Sequence, residues 1–159
     1  MKHVTLMFLM REGELLLAMK KRGFGKGKWN GAGGKVEPGE TPLQAAIRET
    51  EEEVGLTPLN PRKIAEIDFY ITTEPDFNNF THVFVADKWE GEPHETEEMR
   101  PKWFPLGDIP YDKMWGDDIA WLPDVIENRR FTASYTLDGE DNIVDSFTAY
   151  LNEGEEFTS

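Results

Sequence analysis

The chain has 159 residues, a length that suits one domain with a single hydrophobic core. Hydrophobic residues make up 38% of the chain, a share that argues against disorder. Because Cys is absent, disulfide bridges and thiolate metal sites are excluded. Asp and Glu number 31 against 17 Lys and Arg, and the net charge of −14 disfavours binding to DNA, RNA or an anionic membrane.

The start of the chain does not have the layout of a signal peptide, and no apolar stretch approaches the roughly 18–20 residues that span a bilayer. We therefore expect a cytoplasmic, monomeric protein that forms one domain over residues 1–159. The acidic tail at residues 152–159 is expected to fray.

Positive charge is concentrated near the N-terminal third of the chain. Such a segment could bind a polyphosphate, or it could be a solvated basic loop. Six of the 17 basic residues lie within 16 positions, namely Lys20, Lys21, Arg22, Lys26, Lys28 and Lys35.

Two apolar runs open the chain, Val4–Met10 and Leu15–Met19, and the polar residues 11–14 between them include a Gly. This pattern predicts a β-hairpin. A Gly-rich stretch, residues 23–39, follows and precedes a helical segment.

The helical segment begins after Thr41 and ends at Gly55. Thr41 suits the N-cap, Pro42 suits the first helical position, and Gln44 completes a capping box. Gly55 is a natural C-cap, because Gly adopts the left-handed conformation without a steric cost.

Downstream of this helix, Ile64–Thr72 and Thr81–Ala86 predict two strands joined by a loop. Trp103-Phe104 is expected to begin a further short element. Asp117–Asn128 predicts a second helix with an Asp N-cap, in which Pro123 could introduce a kink.

A closing hairpin is predicted from Phe131–Leu137 and Ile143–Leu151, which flank the polar turn at residues 138–142. The elements together predict a mixed α+β domain in which two helices pack on a β-sheet. His3, His82 and His94 lack the spacing of a zinc site or a catalytic triad, and we interpret them as structural or surface residues.

Three carboxylates, Glu49, Glu52 and Glu53, stand at i, i+3 and i+4 and therefore share one face of the predicted helix. Like charges at such positions cost about 0.2–0.5 kcal/mol per pair on a bare helix, and a divalent cation would reverse this cost. The preceding Gly33-Gly34 lets the backbone approach a metal or phosphate closely. The triplet alone is equally compatible with a solvated acidic helix face.

The wider spacing from Gly34 to Leu56 resolves this ambiguity. It follows the pattern G-x5-E-x7-R-E-U-x-E-E-x-G-U, where U is a bulky aliphatic residue, over 23 residues. This pattern is the signature of the Nudix hydrolases, and the chain resembles that family. Thr50 departs from the pattern, because the family usually has a bulky aliphatic residue at this position.

The resemblance implies an α/β/α sandwich with a mixed central sheet and a metal site for Mg²⁺, with Mn²⁺ as a substitute. Arg48 would orient a carboxylate and Glu40 would brace the loop. The general base would be Glu53 as first choice and Glu98 as second choice. The implied metal ligands are the Gly33 carbonyl and the carboxylates of Glu49, Glu52, Glu53 and Glu98.

The segments outside the signature are similar to those of animal Nudix enzymes that hydrolyse oxidised purine nucleoside triphosphates. The similarity is carried by residues 20–35, 98–104 and 114–121 and extends in order from Thr5 to about Tyr150. Gly116 replaces a Pro that is usual in these relatives. The implied substrate-binding residues are Thr5, Lys20, Phe24, Asn30, Phe69, Trp115, Asp117, Asp118 and Trp121.

The chemistry of these residues agrees with a purine ligand. Aromatic side chains such as Trp115 can stack on a base for about 1–3 kcal/mol, and Asn30 offers both a donor and an acceptor. Asp117 and Asp118 are adjacent, so in a partly dry pocket one can keep its proton and donate while the other accepts. Core packing of the aromatics and helix capping by the Asp pair are the alternative interpretations.

The sequence therefore predicts magnesium-dependent hydrolysis of oxidised purine nucleoside triphosphates, such as 8-oxo-dGTP, to monophosphate and pyrophosphate. The partner would be a small nucleotide rather than a nucleic acid or a membrane. Two alternatives stay open, a Nudix enzyme for another nucleotide diphosphate or a methylated purine triphosphate, and a binding module without catalysis.

Overall fold

A computed structural model describes residues 1–158 of the chain. The two helices are α1 (Pro42–Val54) and α2 (Asp118–Ile126). The strands are β1 (Lys2–Arg11), β2 (Glu14–Lys20), β3 (Trp29–Asn30), β4 (Thr57–Pro58), β5 (Arg62–Ile71), β6 (Asn79–Ala86), β7 (Trp89–Glu90), β8 (Met99–Pro105), β9 (Phe131–Leu137) and β10 (Ile143–Tyr150).

The main sheet is mixed and runs in the order β10-β9-β5-β6-β1-β2-β3, with β8 paired to β2. The pairs β1–β6 and β5–β9 are parallel, and the other pairs of this sheet are antiparallel. The parallel pairing of β5 and β9 places their last residues, Ile71 and Leu137, side by side. Strands β4 and β7 form a separate small pair.

The first hairpin is confirmed, with Met10 opposite Leu15 and Arg11 opposite Glu14. Beyond these two pairs β1 and β2 separate, and the segment after β3 lies along the edge of β1 instead. Ala32 and Lys35 form isolated antiparallel bridges to that strand. The sheet therefore accommodates the Gly-rich segment directly beside the first strand.

Helix α1 has the predicted ends. The Thr41 hydroxyl accepts from the Gln44 N–H at 3.1 Å, and the Gln44 side chain accepts from the Thr41 N–H at 2.9 Å. Gly55 has a φ of +79° and donates to the Glu51 carbonyl. Thr50 is buried, and its hydroxyl donates to the Ala46 carbonyl at 2.7 Å, so its polar atom is satisfied inside the core.

Three sequence-based expectations need correction. Asp117 occupies the N-cap position of α2, but its side chain makes no capping hydrogen bond, and the helix ends at Ile126 rather than Asn128. The element expected to begin at Trp103 is a strand that begins at Met99, because residues 99–105 pair continuously with β2. Pro123 lies inside α2.

The two helices cover opposite faces of the sheet, which confirms the α/β/α sandwich. Helix α1 contributes Ala46 and Val54 to one core, together with Met7 and Phe84 of the sheet. Helix α2 contributes Trp121 and other residues to a larger core on the other face. Among the described residues no helix is long and apolar enough to cross a membrane.

The described part of the tail contacts the domain. Arg130 donates to the carbonyl oxygens of Asn152 at 2.8 Å and Glu155 at 2.6 Å. The ring of Phe157 lies 5.6 Å from Lys63 Nζ. These contacts connect the described part of the tail to Arg130 and Lys63, and Ser159 lies outside the described residues.

The C-cap of α1 yields a stability prediction. Gly55→Ala should lower the free energy of unfolding by more than Gly13→Ala, as measured by urea denaturation. Both glycines have positive φ, which costs a non-Gly residue about 1–2 kcal/mol, but a Cβ at Gly55 would also overlap the His94 ring. A Cβ at Gly13 has no atom within 4 Å. Equal losses in the two variants would contradict the role of the His94 contact.

Candidate active site

Arg48 of α1 binds the loop that precedes the helix. Its Nε and Nη2 donate to the two carboxylate oxygens of Glu40 at 2.6 and 3.0 Å. Its Nη1 donates to Glu49 at 2.9 Å, and its Nη2 also donates to the Lys35 carbonyl at 3.1 Å. The Arg48 guanidinium holds the pKa of Glu40 below its usual range. One side chain therefore ties the loop to the first carboxylate of the helix face.

Glu53 lies deeper in the site. Its Oε2 is buried and has no hydrogen-bond partner among the described residues. Burial raises the pKa of Glu53 to about 8, the charge and hydrogen bond of Glu49 add to this, and the Gly33 backbone N–H and the Lys20 charge oppose it. An unsatisfied buried carboxylate oxygen beside a second carboxylate is a feature that a bound cation would explain.

The two glycines before the helix make room for this arrangement. A Cβ at Gly34 would lie 2.6 Å from the carboxyl carbon of Glu49, and a Cβ at Gly33 would overlap the carbonyl of Thr5. The backbone therefore reaches positions that only glycine allows. Carboxylate and carbonyl oxygens are the donors that hard divalent cations prefer, so the residues present fit such an ion.

The other predicted ligands lie farther out. The Glu52 side chain is 60% exposed, with Arg48 Nη1 3.4 Å from its carboxylate. The Glu98 side chain is 64% exposed and pairs with Arg22 at 3.1 Å. Among residues 1–158 no three acidic or His side chains surround one point ready to hold a metal. The structure thus brings Glu49 and Glu53 together but leaves Glu52 and Glu98 at the surface.

A cavity of about 530 Å³ adjoins Glu53. It combines the Gly-rich segment, the ends of β5 and β9 and the start of α2. Ten of the predicted site residues line it, namely Thr5, Phe24, Asn30, Gly33, Glu53, Phe69, Trp115, Asp117, Asp118 and Trp121. Lys20 does not line the cavity, although its charge acts on Glu53.

The acidic pair Asp117–Asp118 is buried in the wall of the cavity. Asp117 accepts from Trp121 Nε1 at 2.7 Å, and Asp118 accepts from the Trp115 backbone N–H at 3.1 Å. Burial raises the pKa of Asp118 to about 8, and the neighbouring Asp117 charge adds to the rise. Burial also raises the pKa of Asp117, whereas the Trp121 hydrogen bond lowers it. The pair therefore retains a proton into the neutral range.

Aromatic rings form the rim and the floor. Phe24 is exposed and stacks between Trp115, at 5.2 Å between ring centroids, and Phe77, at 5.7 Å. Lys28 Nζ lies 4.9 Å from the Trp115 ring. Phe69 is almost fully buried at the cavity wall. Flat apolar surfaces of this kind suit a heteroaromatic ring.

Two polar side chains that line the cavity already make hydrogen bonds to the Gly-rich segment. Asn30 Oδ1 accepts from the Gly31 N–H at 2.8 Å, which leaves its amide nitrogen as the group that can donate to a ligand. The Thr5 hydroxyl donates to the Gly34 carbonyl at 3.3 Å. Thr5 therefore positions the glycine segment in addition to lining the cavity.

Sequence reasoning missed one wall of the cavity. The turn between β9 and β10 was predicted, but its position beside the site was not. The position of the turn follows from the parallel pairing of β5 with β9, which sequence pattern alone does not reveal. The missed lining residues include Ile71, Glu74, Phe77, Asn79, Leu137 and the turn residues Asp138, Gly139, Glu140 and Asp141.

The chain is similar to known proteins over most of its length. A model of the NUDIX domain matches residues 1–125. Two relatives bear the name oxidized purine nucleoside triphosphate hydrolase. The one from Danio rerio is 49% identical over 91% of this chain and 92% of that protein. The one from Mus musculus is 41% identical over 88% of this chain and 89% of that protein.

A solved structure supports the fold. The MutT protein from Bacillus halodurans superposes with a TM-score of 0.83 at 24% identity, covering 93% of this chain and 97% of that one. A MutT Nudix hydrolase from Burkholderia pseudomallei gives a TM-score of 0.67 at 29% identity, with 75% and 94% covered. The sheet with its two helices is therefore an established architecture.

The buried pair yields a prediction on pH and stability. The folded-state pKa of Asp118, about 8, exceeds the unfolded value of about 3.9. Its favourable contribution to stability is therefore present below about pH 4 and is lost as the pH rises towards about 8. Asp118→Asn should flatten the fall in free energy of unfolding between about pH 5 and about pH 8, as measured by urea denaturation.

The control is Asp145→Asn, which removes an exposed acid from β10 and should keep the wild-type pH dependence. An identical fall with pH in Asp118→Asn and wild type would show that Asp118 is already ionised in the folded protein.

Proposed function

The chain belongs to the Nudix family, and from that premise we propose that it hydrolyses oxidised purine nucleoside triphosphates to the monophosphate and pyrophosphate. One observation carries the proposal. A single cavity contains both Glu53 of the carboxylate helix and the buried pair Asp117–Asp118. The carboxylate that serves phosphate hydrolysis and the acidic pair that would recognise the base (the base-reading pair) therefore line the same cavity, which is large enough for one nucleotide.

The cavity suits a purine in size and in lining. Its volume of about 530 Å³ is in the range of small-molecule sites. Aromatic side chains contribute flat apolar surface, and stacking on them stabilises a base by about 1–3 kcal/mol. Asn30 contributes a donor at the Gly-rich side, so the base would meet both stacking surfaces and hydrogen-bonding groups.

The Asp pair supplies a reason for preferring an oxidised base. An 8-oxopurine carries an N7–H that undamaged guanine lacks, and an ionised carboxylate can accept from it. The protonated partner can donate to O6. Because Asp117 and Asp118 are buried and hydrogen-bonded, an undamaged guanine would leave one buried acceptor unpaired, at a cost of roughly 1–3 kcal/mol.

Nudix enzymes use a divalent metal, usually Mg²⁺, and we propose Mg²⁺ here, with Mn²⁺ able to replace it. Glu49 and Glu53 would hold the ion together with Glu52 and the Gly33 carbonyl, once Glu52 leaves its contact with Arg48. When bound, such an ion offsets phosphate charge and lowers the pKa of water.

Within the chain, Glu53 is the group we assign to accept the proton of the attacking water. Its Oε2 has no partner among the described residues, and burial raises its pKa, so the ionised carboxylate is a stronger proton acceptor than an exposed one. Arg48 keeps Glu49 oriented through the hydrogen bond at 2.9 Å. Glu98 would have to leave Arg22 to serve as an additional ligand or base.

The charge of the chain bears on its substrate, and we propose that the protein acts as a monomer. The net charge of −14 disfavours a nucleic acid polymer as substrate. We propose that the protein acts on free nucleotides in the cytoplasm and so removes damaged precursors before they are incorporated.

The activity is tested with a panel of triphosphates in the presence and absence of Mg²⁺. We expect kcat/KM for 8-oxo-dGTP to exceed that for dGTP by at least roughly tenfold, which corresponds to one buried hydrogen bond of about 1.4 kcal/mol. The products, separated by chromatography, should be monophosphate and pyrophosphate. Equal rates on the two nucleotides, or release of orthophosphate, would contradict the proposal.

Glu53→Gln tests the catalytic assignment. It should reduce kcat by at least roughly a hundredfold, since general bases contribute about 10²–10⁴ to rates, while nucleotide affinity measured by calorimetry changes little. The matched control is Glu51→Gln, an exposed Glu of the same helix, which should keep the wild-type kcat. Undiminished turnover in Glu53→Gln would remove Glu53 from the catalytic role.

A further inference from the structure

The turn between β9 and β10, residues 138–142, is braced by its own hydrogen bonds. Asp138 Oδ1 accepts from the backbone N–H groups of Glu140 at 2.9 Å and Asn142 at 3.0 Å. Its Oδ2 accepts from Asn142 Nδ2 at 3.1 Å. These donors hold the pKa of Asp138 below its usual range. The turn can therefore act as a firm wall where it contacts other segments.

This turn contacts two other segments of the chain, at Gly116 and at Thr73. Asp141 Oδ2 accepts from the Gly116 N–H at 2.7 Å. A Cβ at Gly116 would come nearer to the Asp141 carbonyl than the 3.0 Å that real Cβ atoms keep. On the other side, a Cβ at Gly139 would similarly overlap the hydroxyl of Thr73. Close backbone approach thus fixes the turn on both sides.

The contact depends on the residue at position 116. A Pro there would have no N–H and could not donate to Asp141. Gly116 has the N–H that donates to Asp141 and lacks the Cβ that would overlap the Asp141 carbonyl. Asp141 adopts a φ of +66°, a left-handed conformation that Asp and Asn tolerate better than most residues.

The contact lies beside the base-reading pair. The segment from Trp115 to Asp118 has two successive backbone N–H groups bound to carboxylates, Trp115 to Asp118 and Gly116 to Asp141. Asp141 lines the same cavity as Asp117 and Asp118. The segment that carries the pair is therefore anchored to the turn by one side chain.

We propose that Asp141 is a positioning residue for the purine pocket, whose hydrogen bond to the Gly116 N–H fixes the segment 115–118 and so determines affinity and selectivity for the base. The inference rests on the proposed function, because it assigns the pair Asp117–Asp118 to base recognition. The contact holds the segment that carries Asp117 and Asp118 and not the carboxylate helix, so its loss should alter KM and substrate ranking more than kcat.

Three variants separate the parts of the contact. Asp141→Asn keeps an oxygen acceptor and suits the positive φ, but removes the charge. Asp141→Gly removes the acceptor and relaxes the backbone. Gly116→Ala keeps the N–H but forces the turn away. The backbone control is Asn60→Gly, another non-Gly residue of positive φ that does not line the cavity.

With 8-oxo-dGTP and Mg²⁺, Asp141→Gly and Gly116→Ala should each raise KM by roughly tenfold, the equivalent of one charge-assisted hydrogen bond, with kcat nearly unchanged. Asp141→Asn and Asn60→Gly should stay within about twofold of wild type. The double variant Gly116→Ala/Asp141→Gly should resemble the single variants, because both remove one interaction. Fully additive losses, or wild-type KM and ranking in Asp141→Gly, would overturn the proposal.

A second measurement needs no nucleotide. Hydrogen exchange of the Gly116 amide, followed by NMR, should be slow in wild type and Asp141→Asn and fast in Asp141→Gly. Unchanged exchange in Asp141→Gly overturns the hydrogen bond itself. If exchange responds as expected but wild type fails to discriminate 8-oxo-dGTP from dGTP, the proposed function fails while the structural contact stands.

Discussion

The backbone hydrogen bonds between β1 and the Gly-rich segment are the constraint on which the site depends. Thr5 donates to the Gly34 carbonyl at 2.9 Å, and Met7 donates to the Ala32 carbonyl at 2.7 Å. Because these donors are occupied by the loop, β2 diverges from β1 after the hairpin. The same bonds bring Gly34 against Glu49, and residues 4–6 of the strand line the cavity. The edge of β1 thus fixes the position of the glycines, and the glycines in turn contact the carboxylate helix.

The site contains two pairs of acidic side chains, and the charge of each pair is neutralised in a different way. Glu49 and Glu53 form a pair with a buried, unsatisfied oxygen, which a divalent cation would stabilise. Asp117 and Asp118 are instead held by hydrogen-bond donors of the chain and by a retained proton. A nucleoside triphosphate has the matching polarity, because its phosphates need cations and its base needs hydrogen-bonding groups. Burial of these acids therefore destabilises the folded protein without ligand, and a bound nucleotide with its cation would offset this cost.

Local patterns predicted the parts of the fold that local interactions determine. The capping box of α1 and the Gly55 C-cap involve contiguous residues, and the structure confirms both. The side-chain partners of the Asp pair could not be predicted in the same way, since capping was as reasonable as the observed bond to Trp121. The position of the turn at 138–142 depends on the parallel pairing of β5 with β9, which brings distant segments together. Phe77 was missed because its stacking on Phe24 joins segments that are far apart in the sequence.

The two departures from the family pattern show how a chain accommodates an unusual residue. Thr50 places a hydroxyl where an aliphatic group is usual, and its hydrogen bond to the Ala46 carbonyl removes the cost of burying it. Gly116 gives up the rigidity of Pro, and the N–H it gains is bound by Asp141. In the first case the compensation is internal to the helix and leaves the site unchanged. In the second case the compensating group, Asp141, lines the substrate cavity. The residue at position 116 therefore affects the cavity wall that the base would contact.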